Sequence, residues 1–161
     1  MRKLCEEEAM VKRTFDDELA EREAATRNYA GKLLMKKDDI HWHTLTHGRY
    51  GMIVDQSTGM EARAVAVLIM ELAPGYQSAL HKHTYEAIGY VLEGRGYEII
   101  GDQTVDWEVG DTFYMPANVP HRHVNRDPVK PARFLQIETW PLMISLGIGE
   151  LVEIEAAGKT T

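Results

Sequence analysis

From Ile40 onward, apolar and polar residues alternate in short runs separated by glycine, proline and aspartate, the period-two pattern of half-buried strands. Runs at Ile40–Leu45, Met52–Asp55, Arg63–Leu72, Ala87–Leu92, Tyr97–Ile100, Val105–Glu108, Thr112–Met115, Arg122–Asn125 and Arg133–Trp140 each predict a strand. Strands this short and this regularly punctuated build a sandwich or barrel. The first thirty residues or so follow another period. Val11, Phe15 and Leu19 recur at helical spacing, and Glu18 with Arg22 and Glu23 with Arg27 stand four apart, which predicts an amphipathic helix ending near Gly31. The chain therefore reads as a helical extension, residues 1–38, and a β domain, residues 39–161. The helix is expected to pack on the outside of the β domain, with a lid or dimer arm as the alternative. Pro141 breaks the last strand, and the apolar stretch Leu142–Ile148 is expected to cover the barrel base or to meet a second subunit.

Composition narrows the classes. At 161 residues the chain is one ordinary domain with some excess, long enough to bury a real core. A net charge of −7, from 25 acidic and 18 basic residues, argues against a nucleic-acid surface. With no twenty-residue apolar span and no basic-then-apolar leader, neither membrane insertion nor secretion is expected. Cys5 is the lone cysteine, so no internal disulfide forms. A cytoplasmic protein is the expectation.

The chemistry lies in three histidines, each inside a glycine and proline frame. Gly75, five residues, His81, Lys82, His83 and then a strand-like run to Gly94 make the first stretch; Gly110, five residues, Pro116, Ala117, Asn118, two residues, His121 and Asn125 make the second. Side chains on a strand alternate faces, so His81 and His83 point the same way and can grip one ion together. His121, from a neighbouring strand, would complete the start of a metal site. His123 shares the parity of His121 and is a candidate further ligand, hydrogen-bond partner or substrate contact. Another pair, His41 and His43, with His47 close behind, has no such frame and is expected to be partly exposed.

These two stretches resemble the paired motifs of the cupin family, and the variant resembled is the three-histidine, gentisate dioxygenase-like small cupin. The resemblance implies an all-β jelly-roll β-barrel with one divalent metal in its mouth, held by His81, His83 and His121. Asn118 stands where the family usually has glycine, a mild departure because Asn tolerates a left-handed backbone. The family's usual glutamate ligand falls at Ala87. Glu86 is one residue early and points to the opposite face unless a bulge shifts the register. Three neutral imidazoles would leave the ion its full charge, which favours a small anionic chelating substrate. Fe(II) is the expected metal, with Mn, Ni, Zn or Cu as alternatives, and the implied activity is a dioxygenase cleaving an aromatic hydroxy acid or dicarbonyl acid. A lyase, decarboxylase or isomerase that uses no oxygen, and a non-catalytic binder, are the other readings; a homodimer is expected. Tyr85 and Gly89 are candidate pocket residues by parity, Gly89 leaving room for a ligand. Gln136 and Glu138 share one face of a late strand and are candidates for a further ligand, a replacement carboxylate or a hydrogen bond to a histidine. Arg63, Arg95 and Arg122 are candidate carboxylate clamps, while Tyr90 and Trp107 are expected to be packing residues.

Overall fold

The computed structural model describes residues 14–27 and 30–159, so Val11 and the glutamates before it lie outside the described residues. Two compact units divide between Gly31 and Lys32. The first contains α1 (Phe15–Arg27). The Thr14 hydroxyl accepts from the Asp17 backbone N–H at 3.2 Å while the Asp17 carboxylate accepts from the Thr14 N–H at 2.9 Å, which satisfies donors a helix start leaves free. Asp16, Asp17 and Glu18 in the first turn suit the helix dipole. The expected Glu18–Arg22 pair forms at 2.8 Å. Phe15 and Leu19, expected as an apolar stripe, are 77% and 46% exposed.

The second unit is almost wholly β. Its strands are β1 (Trp42–Leu45), β2 (Gly48–Val54), β3 (Ala66–Leu72), β4 (Tyr76–Gln77), β5 (Leu80–His83), β6 (Ala87–Glu93), β7 (Arg95–Ile100), β8 (Gln103–Glu108), β9 (Thr112–Met115), β10 (His121–Asn125), β11 (Ala132–Glu138), β12 (Leu151–Glu155) and β13 (Gly158–Lys159). One antiparallel sheet runs β1-β2-β3-β11-β6-β9; the other runs β12-β5-β10-β4-β13, with β7 also on β10 and β8 on β7. This is an all-β jelly roll: the alternating pattern predicts a sandwich or barrel, and the resemblance implies the jelly roll. The apolar tail is not one irregular cover: Trp140–Ser145 forms a short helix, α2, with Pro141 in its first turn, where a missing N–H does no harm.

Alternation places the core. Leu68, Met70 and Leu72 on β3, Val91 on β6, Phe113 and Met115 on β9, Phe134 on β11 and Trp107 on β8 are all buried in one cluster. Each such side chain contributes roughly 1.5–3 kcal/mol by leaving water. The inward row of β11 changes character along its length: Ala132 and Phe134 give way to Gln136 and Glu138, all four buried. One end of the barrel is thus apolar and the other polar, and the polar end is the one that β5 and β10 line with histidine.

The turns hold the frame. Asn118 adopts φ 64, the left-handed conformation expected of it, and its N–H donates to the His83 carbonyl at 2.7 Å. Asn125 closes the second motif: its Nδ2 donates to the Leu72, Ala73 and Lys130 carbonyls at 3.2, 3.0 and 2.9 Å, and its Oδ1 accepts from the Asp127 N–H at 3.0 Å.

Candidate metal centre

β5 and β10 are antiparallel neighbours with His81 and His121 directly paired. Period-two alternation turns His81 and His83 inward from β5, and His121 and His123 inward from β10, all at most 3% exposed. The structure therefore gathers four imidazoles. His81 is central: its ring centroid lies 4.3 Å from His121, 5.6 Å from His123 and 5.9 Å from His83. His81, His121 and His123 each bring one ring nitrogen within 4.8 Å of the others. His83 flanks them, 4.7 Å from His121. A fifth imidazole, His47 from the β1–β2 turn, sits 4.1 Å from His81. His47 is partly exposed, as expected, yet the hairpin turn brings its ring against His81. His41 and His43 are exposed as expected.

Hydrogen bonds fix which nitrogen of each ring is free. His81 Nδ1–H donates to the Ala79 carbonyl at 2.9 Å, His83 Nδ1–H to Tyr85 O at 2.6 Å, and His121 Nδ1–H to Val119 O at 2.9 Å. A carbonyl can only accept, so the proton of each neutral ring is on Nδ1 and Nε2 keeps its lone pair. The rings are neutral: burial, followed by repulsion among neighbouring imidazoles, pushes His83 and His121 down to about 4 and His81 further below the histidine range. Burial alone takes His123 to about 4, and His47 is lowered chiefly by burial. The Nε2 atoms of His47, His83, His121 and His123 are buried without a hydrogen-bond partner, although that of His47 lies 3.5 Å from Glu153 Oε1. Buried polar atoms seldom go unpaired. Unprotonated nitrogens converging from several strands fit a divalent ion, and the backbone carbonyls behind them are the usual outer support of such ligands.

Glu98, which the residue pattern did not single out, completes the floor. It is wholly buried, Trp107 Nε1–H donates to its Oε1 at 3.1 Å, and its Oε2 lies 2.7 Å from His123 Nδ1. Burial drives its carboxyl well above the usual range. Its parity with buried Gly96 on β7, and its pairing with His123, are the signals that could have found it. Trp107 packs in the core as expected. Tyr90 does not: it is 45% exposed on the outer face, because its parity on β6 is opposite to that of Ala87 and Val91.

Beside the histidines lies a cavity of about 210 Å³ lined by Met52, Leu68, Met70 and Leu151 together with His47, Tyr85 and Glu138. Tyr85 stacks on His83 with centroids 3.9 Å apart and planes at 2°. Burial, then the Glu138 charge, pushes its hydroxyl above the usual tyrosine range. Glu138 pairs across the strands with Ala87 on one side and Ala66 on the other. Gln136 Nε2 donates to Glu138 Oε1 at 2.5 Å, and burial raises the Glu138 carboxyl to about 7.

Other candidates lie elsewhere. Glu86 is exposed and accepts from the Tyr114 hydroxyl at 2.5 Å, on the face away from the histidines. The room beside Gly89 belongs to a core side chain and not to a ligand: a Cβ there would meet the Phe113 ring at 2.1 Å. Arg122 pairs with Glu155 at 2.8 Å, Arg95 reaches Asp127 at 3.9 Å, and Arg63 lines a separate hollow with Gln56 and Met60. Among the described residues, no lysine or arginine lines the cavity beside the histidines. No helix among the described residues is long and apolar enough to cross a membrane.

Residues 68–138 match the model of the cupin domain. A 1-hydroxy-2-naphthoate 1,2-dioxygenase of Nocardioides sp. (strain KP7) is 26% identical over 80 residues, which are 50% of this chain and 21% of that protein. The salicylate 1,2-dioxygenase of Pseudaminobacter salicylatoxidans shares the fold with a TM-score of 0.59 at 20% identity, over 65% of this chain and 29% of that one. The polyketide cyclase RemF of Streptomyces resistomycificus shares it with a TM-score of 0.58 at 21% identity, over 66% of this chain and 78% of that one. The chain thus spans about a fifth of the dioxygenase that it matches in sequence.

Proposed function

Because residues 68–138 form a cupin domain, we propose that this chain is a metal-dependent cupin enzyme, an Fe(II) dioxygenase acting on a small anionic, chelating aromatic hydroxy acid or dicarbonyl acid. The observation that carries the reading is the set of buried, unprotonated imidazole Nε2 atoms without partners at one end of the barrel. His81, His83 and His121 would hold the ion, and His123, whose ring nitrogen clusters with those of His81 and His121, would join them. Bound there, a divalent ion supplies Lewis acidity and, when it is iron, one-electron chemistry with dioxygen.

The chain's own residues do the rest. Carbonyls of Ala79, Tyr85 and Val119 keep three rings oriented with their lone pairs inward. Met52, Leu68, Met70 and Leu151 exclude water and match the faces of an aromatic ring. With no lysine or arginine in the cavity wall among the described residues, an ion held at the histidine end would supply the counter-charge for an anionic group and so orient the substrate. The dioxygenases similar to this chain carry names of small aromatic acids, which agrees with that orientation. A second reading, carbon chemistry without oxygen, is favoured by the buried Glu138 carboxyl in the cavity wall and by the likeness to a polyketide cyclase of comparable span.

The test is elemental analysis of anaerobically purified protein beside its His121→Ala variant, followed by oxygen uptake with salicylate and gentisate. About one iron per chain that the variant loses, with uptake matched to substrate loss, is the expected result. Turnover without oxygen uptake would select the second reading. Metal without turnover of either kind would leave a binding barrel, and no metal after reconstitution would end the proposal.

A further inference from the structure

Cupins usually place a carboxylate at the position of Ala87, and this chain has a methyl group there. Glu138 is its direct cross-strand partner. Side chains so paired on one sheet face stand about 5 Å apart at Cβ, so Glu138 rises next to the place where the missing carboxylate would begin. Ala66 pairs with it from the other side. Ala66 and Ala87 are 0% and 1% exposed, and their small side chains leave the Glu138 head group free to lie in the cavity wall with Tyr85 and His47.

We propose that Glu138 is the general base of this site, taking the proton from the hydroxyl group of a chelating phenol or enol as that substrate seats against the histidines. The inference rests on the metal-site reading above. The substrate O–H bond breaks, its electron pair stays on oxygen, and the proton passes to Glu138 Oε2, the oxygen that Gln136 does not engage. Geometry supports this assignment in two further ways. Glu138 is not among the atoms of the compact nitrogen cluster, so it is set apart as a proton acceptor. Gln136 Nε2 donates to Glu138 Oε1 alone, which holds the carboxyl in place in the cavity wall and leaves Oε2 to accept the hydroxyl hydrogen of a substrate. Burial that holds the carboxyl at about 7 matches a base that must take a proton and return it near neutrality. The tyrosine stacked on His83 cannot take that role, because its own hydroxyl is held protonated.

Proton bookkeeping on binding tests the role without a known natural substrate. Zn(II)-loaded wild type and Glu138→Gln are titrated calorimetrically with 4-nitrocatechol at pH 8, in two buffers of different ionisation enthalpy. The wild type is expected to release about one proton fewer per bound probe than the variant, because Glu138 keeps it. Equal release from two proteins that both load zinc and bind the probe would overturn the base while leaving the metal-cupin reading intact. Loss of zinc from Glu138→Gln alone would overturn it too, by making the carboxylate a ligand. Failure of the wild type to take up zinc or probe would overturn both. Glu138→Asp, which restores a carboxylate, is expected to restore proton retention; failure of that rescue in a folded, loaded protein would count against the base.

Discussion

Glu98 decides what His123 can do. Trp107 Nε1–H can only donate, so it holds Glu98 Oε1 as an acceptor; the second oxygen lies 2.7 Å from His123 Nδ1, and in its ionised form it accepts Nδ1–H and leaves the lone pair on Nε2, the state a metal on Nε2 requires. Glutamine at this position offers one acceptor and one donor. Trp107 would take the acceptor, and the amide N–H would face His123 Nδ1, driving the ring proton to Nε2 where a metal is excluded. Glu98→Gln is therefore expected to weaken Zn(II) binding by about 10–100-fold and to alter the Co(II) absorption spectrum, with little change in fold. Unchanged affinity in a competition titration would mean that His123 does not ligate. At this scale the sequence was uneven. His81, His83 and His121 could be singled out because a glycine and proline frame surrounds them; Glu86, kept as a possible further ligand should a bulge shift the register, is exposed and bonded to Tyr114. Glu98 and His47 could not be singled out in that way, since a lone acid in Tyr97–Ile100 and a histidine in a turn carry no local signal; long-range pairing brings them to the site.

Strands were the most legible elements, because alternation is enforced by burial of one face. Those that failed to announce themselves are β4 and β13, each two residues long, and β12, which is exposed at every residue, so that burial of one face enforces no alternation there. Gly48 and Gly51 lie between the expected runs Ile40–Leu45 and Met52–Asp55, yet both sit within β2, where Gly51 has ladder partners on both sides, Trp42 and Ile69, that outweigh weak propensity. Gly96, like Gly89, is a strand glycine with a clear structural demand. A Cβ there would come within 2.0 Å of the Val124 carbonyl and 2.5 Å of the Trp107 ring, where β7, β8 and β10 meet behind Glu98. Gly96→Ala is expected to cost about 3 kcal/mol, at the upper end of overpacking, lowering the urea midpoint and loosening metal binding together. A variant as stable as the wild type would mean that β7 and β10 part easily, and that the floor beneath His123 is soft.

For the whole molecule, the polar end of the barrel makes stability depend on pH in a direction that can be worked out. His83 and His121 are held near 4 against an ordinary 6.5, and His81 lower still. The unfolded chain therefore binds protons that the folded chain refuses, and this contribution is present above 6.5 and lost as the pH falls toward 4. Each ring held at about 4 accounts for on the order of 3 kcal/mol at most. Glu138 has the opposite sign: raised to about 7 from 4.5, it contributes stability below 4.5 that is lost as the pH rises through 7. The Glu98–His123 pair has one member raised and one lowered, so its two contributions oppose each other. With several histidines against one cavity carboxyl, metal-free protein is expected to lose urea resistance between pH 6.5 and 4, and Glu138→Gln, which removes the opposing group, is expected to steepen that loss. The same titration with Zn(II) present should begin its fall at lower pH, since an ion on Nε2 excludes the proton. A flat profile for the metal-free protein would mean that the rings are already charged or solvated at neutral pH, which four buried nitrogens without partners in this barrel do not allow.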